Sequence, residues 1–360
     1  MARRLGAVAV LGGLAAAFIA WLIFRPLLGG GPAVAAALAL GALAAWFLPR
    51  TALVRLLWVL PLFALLIFLS VQLMFLVPGS PFASEKNTTP EVTKQQEALY
   101  GIPEKSPLGA CVFFVRYVKA LVVDGTMGPC IKVQGRSVTE VLLPAIPVSL
   151  TLGLLALIIA TSLGLFLGIR AGLRPNTLTD YGSMGFAILG VSLPSFVIGA
   201  LLMIVFSLGY PFSWFPVAGW GSYGHLVLPS IALALPYAAY IARLARSETI
   251  EVMSQDFIRT ARAKGLSERE VVLKHALKGA LVPVVSFLGP AAAGIVTGSF
   301  VVETLFGIPG MGRWFVNGAT NRDYYVVLGT VILESGIVIF FNLLVDLALP
   351  LIDPRLKARS

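Results

Sequence analysis

At 360 residues, 58% hydrophobic and only 12% charged, with a mean hydropathy of +0.90, the chain is too apolar for a soluble globular domain and reads as an all-α, polytopic transmembrane helical bundle. Its net charge of +10 comes from basic residues clustered beside apolar runs, the placement of topology signals, which argues against nucleic acid as a partner. No G-x-x-x-x-G-K-[ST] phosphate loop, Ser-His-Asp arrangement or metal-ligand spacing occurs, and Cys111, Cys130, His225 and His275 are too scattered for a metal site. Any ATP chemistry belongs to another chain.

Residues 5–24 follow the basic MARR and have the length to cross the hydrocarbon core, with a cleaved signal peptide as the competing reading. Residues 31–48 close a hairpin, so 1–50 form an extra N-terminal transmembrane pair whose Ala, Leu and Gly composition offers nothing to bind a solute. The next run, 56–77, makes 51–78 the first core span and ends at Pro78-Gly79-Ser80-Pro81, which cannot continue a helix. Residues 79–138 are polar and mixed in charge, hold a weakly helical stretch around 100–122 and read as an extracytoplasmic cap. Cys111 and Cys130 both fall there, and a disulfide and two unpaired thiols are equally open. Apolar runs near 141–169, 183–209, 226–245, 279–302 and 325–350 complete a core domain, 139–360. Basic residues alternate between loops with Arg25 the exception, which gives eight spans and both termini in the cytoplasm.

Prolines and glycines interrupt several of these runs: Pro144, Pro147, Pro194, Pro229, Pro236, Pro283, Gly289 and Pro290. Broken backbone at membrane depth is tolerated where it is buried in protein or lines a watery cavity, so the pattern points to a solute pathway. Candidates for its wall are Ser192, Pro194, Ser195, Ser286, Thr297, Ser299, Phe300 and Glu303, against the ordinary role of small residues in helix packing. Glu334 lies deep in the last span, where a carboxylate serves either an ion or proton site or a hydrogen bond to a neighbouring helix.

Between the apolar runs one charged segment, 254–283, has an internal design. Ser254 can cap a short helix with Asp256 in its first turn, and Gly265 stands where a left-handed residue would end it. Ser267 and Glu270 then have the spacing of a capping box at the start of a second helix. Topology alone needs only charge; two helix starts and a glycine stop suit docking to a soluble partner.

FIRTARAKGLSEREVVLKHALKGALVPVV, within this segment, resembles the cytoplasmic motif of inner-membrane permeases of ATP-binding-cassette importers, in the dipeptide and oligopeptide branch. The resemblance runs from about residue 56 to residue 357. VPGSP at 77–81, GIPEKSPL at 101–108, LPAIPVSLTLGL at 143–154, SLPSFVIG at 192–199, GSFVVETLFGIPGMGR at 298–313, NRDYYVV at 321–327 and LIDPRLK at 351–357 match in order and spacing. Where the general motif has Glu-Ala-Ala, this chain has Arg259, Thr260 and Ala261, and residues 1–50 fall outside the likeness.

The resemblance implies one permease subunit of an importer for peptides or similar solutes, in a bacterial or archaeal cytoplasmic membrane. Its expected partners are a second, homologous permease, two ATPase subunits that hold the ATP and Mg²⁺, an extracytoplasmic substrate-binding protein, and lipid. The chain itself binds no cofactor. It implies a coupling loop at 248–278, with Asp256, Arg259, Arg262, Lys264 and Gly265 at the ATPase surface and Phe257, Ile258 and Ala261 in its groove. Thr260, Ala263, Ser267 and Glu270 complete the loop. The alternative reading is a secondary transporter driven by an ion gradient, with Glu334 as its coupling site.

Overall fold

The computed structural model describes residues 14, 16–17, 19–20, 34–39, 41–42, 50–82, 89–209 and 213–352. All regular structure among them is helical, with one isolated bridge between Pro129 and Ser137. Among the described residues five helices are long and apolar enough to cross a membrane, six if a bent pair counts as one span. The hairpin expected at 1–50 lies outside the described residues apart from its short helical pieces, and the C-terminal residues 353–360 lie outside as well.

The chain divides into two units, residues 1–147 with 310–337, and 148–309 with 338–360. The first contains α1 (Arg50–Leu76), α2 (Pro90–Leu99), α3 (Pro107–Lys119, continued by a π turn, Ala120–Asp124), α4 (Val138–Leu142) and α11 (Met311–Asn321). It also takes the opening turns of α12 (Tyr324–Ile352). Aromatic rings join α1, α3 and α12: Phe113 lies 5.7 Å from Phe75 and 5.4 Å from Tyr325 between ring centroids. Asp323 ties the intervening loop down. One carboxylate oxygen accepts from the amide of Val326 at 3.3 Å and caps α12; the other accepts from the amides of Ile131 and Lys132 at 2.8 and 3.1 Å. The Cys130 thiol donates to that second oxygen at 3.3 Å, and burial with the nearby carboxylate pushes its pKa up to about 11. Both cysteines are free, Cys130 buried and Cys111 exposed.

The second unit holds most of α5 (Ala145–Leu173), then α6 (Leu178–Ser192), α7 (Ser195–Met203, continued by a π turn, Ile204–Leu208) and α8 (Gly224–Met253). There follow α9 (Asp256–Ala263) and α10 (Glu268–Leu305, with a π segment at Val271–Ala276). The core is drawn from α5, α8 and α10, through Leu152, Ala156, Leu233, Ala238, Ile241, Val284 and Ile295. Helices approach closely where a side chain is missing: a Cβ on Gly164 would stand 2.7 Å from Cβ of Ile241, and one on Gly172 2.6 Å from Cβ of Thr249. Small residues at every fourth position let two backbones pack in this way without a hydrophobic drive from water.

One expectation about the interrupted runs holds and one is corrected. The run at 183–209 is interrupted at Leu193-Pro194, where two helices meet at a bend of 103°. Leu193 is held extended (φ −102°, ψ 128°) because the following proline ring excludes the helical conformation. In contrast, Pro229 and Pro236 lie inside continuous α8, and Pro283, Gly289 and Pro290 inside continuous α10, so none breaks its helix.

Candidate coupling site

The water-facing elbow between α8 and α10 is assembled from local rules. Ser254 closes α8 instead of opening α9: its backbone stays helical (φ −86°, ψ −9°) and its hydroxyl donates to the Glu251 carbonyl at 2.7 Å. Gln255, extended at φ −77° and ψ 154°, is the N-cap residue of α9 and offers no side-chain bond. The expected Ser254 cap is therefore displaced by one residue, because two consecutive helices need an extended residue between them. Asp256 in the first turn meets Arg259 at 3.4 Å and complements the helix dipole.

At the far end of α9 the amide of Gly265 donates to the Arg262 carbonyl at 2.9 Å and that of Leu266 to the Ala261 carbonyl at 3.4 Å. This is the paired bonding of a Schellman end, and Gly265 takes the left-handed conformation it requires, φ +79°. Ser267 then starts α10, its hydroxyl accepting from the Glu270 amide at 3.3 Å and donating to the Glu270 carboxylate at 3.1 Å. The capping box is thus made side chain to side chain in its second half. Glu270 also pairs with Lys274 at 3.1 Å. Across the glycine, Arg262 grips Glu268 with two bonds, Nε to Oε2 at 3.1 Å and Nη2 to Oε1 at 2.5 Å. That bond holds the guanidinium protonated, raising its pKa further.

The elbow has its own small core: Val252, Ile258, Ala261, Val271, Ala276 and Ala280, with Met253 and Leu266 against it. Ile258 and Ala261 are therefore turned inward and do not face a partner, a correction with a plain cause, since a two-turn helix on a span must bury one apolar side. Asp256, Phe257, Arg259, Thr260, Arg262, Ala263, Lys264, Gly265 and Ser267 are exposed, while Glu270 is half-buried. Phe257 stands out of the surface at 46% exposure, an aromatic ringed by charge of both signs, as interface anchors are.

The pathway candidates divide. Ser192 and Pro194 are exposed at the α6–α7 bend and Ser195 is half-buried. On α10, Ser286 and Thr297 share an uncovered face, each hydroxyl returned to the carbonyl four residues back. Ser299, Phe300 and Glu303 are buried, Ser299 lying 3.0 Å from the Glu303 carboxylate, so these three do not line a surface of the chain. Glu334 is half-buried on α12.

A side-chain pair that the sequence does not announce anchors the base of the elbow. Asp180, 2% exposed on α6, accepts from Arg246 of α8 through both nitrogens of one guanidinium edge, Nη2 at 2.7 Å, and from the Asn176 amide at 2.9 Å. The two residues are 66 apart in sequence, and no local pattern marks them as partners.

Comparison with known proteins agrees with this architecture. Residues 160–358 match the family described as binding-protein-dependent transport system inner membrane component. The oligopeptide transport system permease protein OppB of Haemophilus influenzae is 45% identical over 305 residues, 84% of this chain and 97% of that protein. The dipeptide transport system permease protein DppB of Bacillus subtilis is 46% identical over 290 residues, 80% of this chain and 92% of that one. OppB of Escherichia coli is 44% identical over 305 residues, covering 84% and 97%. Helical spans joined through a capped, water-facing elbow, with relatives of this kind, define a polytopic transport permease. The chain belongs to the family of inner membrane components of binding-protein-dependent transport systems. It is accordingly a transport subunit and not an enzyme, and the ion-gradient alternative built on Glu334 gives way to this reading.

Proposed function

We propose that the chain forms half of the translocation pathway of an ATP-driven importer for peptides or related small solutes, and that α9 and the Gly265 elbow are where a separate ATPase subunit docks. The oligopeptide and dipeptide systems named for its relatives support the solute class. A second, related permease supplies the other half, and the uncovered Ser286–Thr297 face of α10, with the α6–α7 bend, is the part of this chain that lines the route. ATP and Mg²⁺ stay on the ATPase pair. The substrate-binding protein docks on the outer loops 210–224 and 303–324, and both termini are cytoplasmic.

One observation carries the coupling assignment: an exposed elbow with its own core, continuous with one span through α10 and tied to the other through the two-residue link Ser254–Gln255. A lever of this kind passes a displacement on, where a flexible loop would absorb it. Gly265→Val tests it. Nothing lies within 4 Å of a Cβ at this position, so the substitution acts through the backbone alone. Forcing a β-branched residue into the left-handed region costs about 1–2 kcal/mol. In proteoliposomes with the ATPases, transport and ATPase stimulation should fall together in Gly265→Val while Gly265→Asn keeps both, each variant inserting normally. Full coupling in the valine variant refutes the assignment.

A further inference from the structure

Within the stretch between α1 and α4, two neighbouring helices have opposite surfaces. α2 buries none of its residues and carries Glu91, Lys94, Gln95 and Glu97, the surface of a helix in water. α3 is apolar on both sides. Ala110, Phe113 and Tyr117 face inward, whereas Leu108, Val112 and Val115 point outward at 76%, 38% and 63% exposure, with Cys111 exposed beside them. A helix that is apolar all round is stable only where both sides meet apolar material.

The contacts of α3 fix its depth. Phe114 meets Phe68 edge-on at 5.4 Å between ring centroids, Phe113 meets Phe75 at 5.7 Å, and Gln72 Nε2 lies 3.8 Å from the Cys111 sulfur. All three α1 residues belong to the last part of the apolar span Leu57–Leu76. At about 1.5 Å per residue, Phe68 is roughly 12 Å below the end of that span, inside one leaflet of a core about 30 Å thick. The chain enters and leaves at one level: Lys105 Nζ donates to the Val77 carbonyl at 2.5 Å as α3 begins, and beyond α3 Cys130 is held by Asp323, beside the Tyr324 that packs on Phe75. α1 likewise leaves Leu65, Leu69 and Leu73 exposed along its own apolar span. Its last turn adds the exposed cations Arg116 and Lys119.

From this juxtaposition we infer that α3 is a membrane-embedded helix of the leaflet at the Leu76 end of α1, with Leu108, Val112 and Val115 among acyl chains and Arg116 and Lys119 reaching up to lipid phosphates. Long basic side chains snorkel in this way, and an apolar helix flanked by cations is the pattern of a segment lying in the interface. Part of the polar segment is thereby an anchor in the bilayer rather than a cap exposed to water.

Native Cys111 provides the test, since Cys130 is buried. A nitroxide on Cys111 of the full chain, in vesicles of phosphatidylcholine with phosphatidylglycerol, should collide with oxygen far more than with a water-soluble nickel chelate. Val115→Cys in a Cys111→Ser background should behave alike. Access to nickel at either position places α3 in water, and exclusion of both reagents places protein over the stripe; each overturns the inference. Leaving out phosphatidylglycerol should move the Cys111 label toward water in the native chain and leave it unmoved in the Arg116→Gln, Lys119→Gln double variant. An identical response in the two proteins would remove the phosphate contact.

Discussion

Two ion pairs brace the second unit near the elbow, and they are made in opposite ways. Asp180 and Arg246 join α6 to α8 across 66 residues, the carboxylate buried and also held by a backbone amide. Arg262 and Glu268 join the two sides of Gly265 across six residues, with side chains 44% and 61% exposed. The first contact exists only once the helices have packed, and an Asp180 carboxylate left over from it would have little water to turn to. The second sets the angle of an elbow that Gly265, Ser267 and the small core beneath already form. The buried pair therefore governs whether the scaffold stands, and the exposed pair how firmly its lever is held.

The largest effect should come from breaking the buried pair. Asp180→Asn leaves the Arg246 guanidinium without its anion in a low-dielectric site, where losing one partner costs about 3–5 kcal/mol. Partial exposure of Arg246, 26%, puts the expected loss near the lower figure, about 3 kcal/mol. Thermal unfolding in detergent should show it as a clear fall in midpoint, with transport lost in step with folded protein. Exchanging the two residues, Asp180→Arg with Arg246→Asp, should recover part of that stability. A midpoint unchanged in Asp180→Asn would mean that packing alone holds α6 to α8.

The same contrast decides what could be read before the structure. The Schellman glycine and the Ser267–Glu270 spacing were legible because each is complete within a few residues. The Asp180–Arg246 pair, and the reach of Asp323 to residues 130–132, were not, because partners so far apart meet only through the helix arrangement. Prolines show the limit from another side. Pro194 and Pro229 look alike in sequence, yet Pro194 follows a residue left free to extend, whereas Pro229 is buried in a helix packed on several sides that outweigh one missing backbone bond. For the same reason the hydroxyl residues of α10 could be named but not sorted: Ser299 is buried and Thr297 bare, and what packs over each position, not the serine or threonine, makes that choice.

A smaller effect should follow from wedging apart the helices beside the buried pair. A Cβ on Gly172 would lie 2.6 Å from Cβ of Thr249 and 2.8 Å from the Arg246 carbonyl, in the turn of α8 that carries the guanidinium. Overpacking of this kind costs about 1–3 kcal/mol, so Gly172→Val should lower the midpoint by less than Asp180→Asn does. Gly182→Ala serves as the control, because nothing stands within 4 Å of a Cβ there. Equal behaviour of the two variants would show that α5 and α8 have room to part without disturbing the pair.

The smallest change in stability should come from the exposed pair. Arg262→Gln and Glu268→Gln each remove a contact that water can replace on both sides, and such pairs contribute little to folding. The midpoint should not move. What should move is coupling: with one brace across Gly265 gone, the lever yields before it drives the spans, so ATPase stimulation should drop moderately while binding of the ATPase persists. Salt screens exposed charges, so raising ionic strength should bring the native protein toward the Arg262→Gln value and leave that variant nearly unchanged. If Arg262→Gln instead lowered the midpoint as far as Asp180→Asn, the elbow would be part of the scaffold, and the division of labour between the two pairs would be wrong.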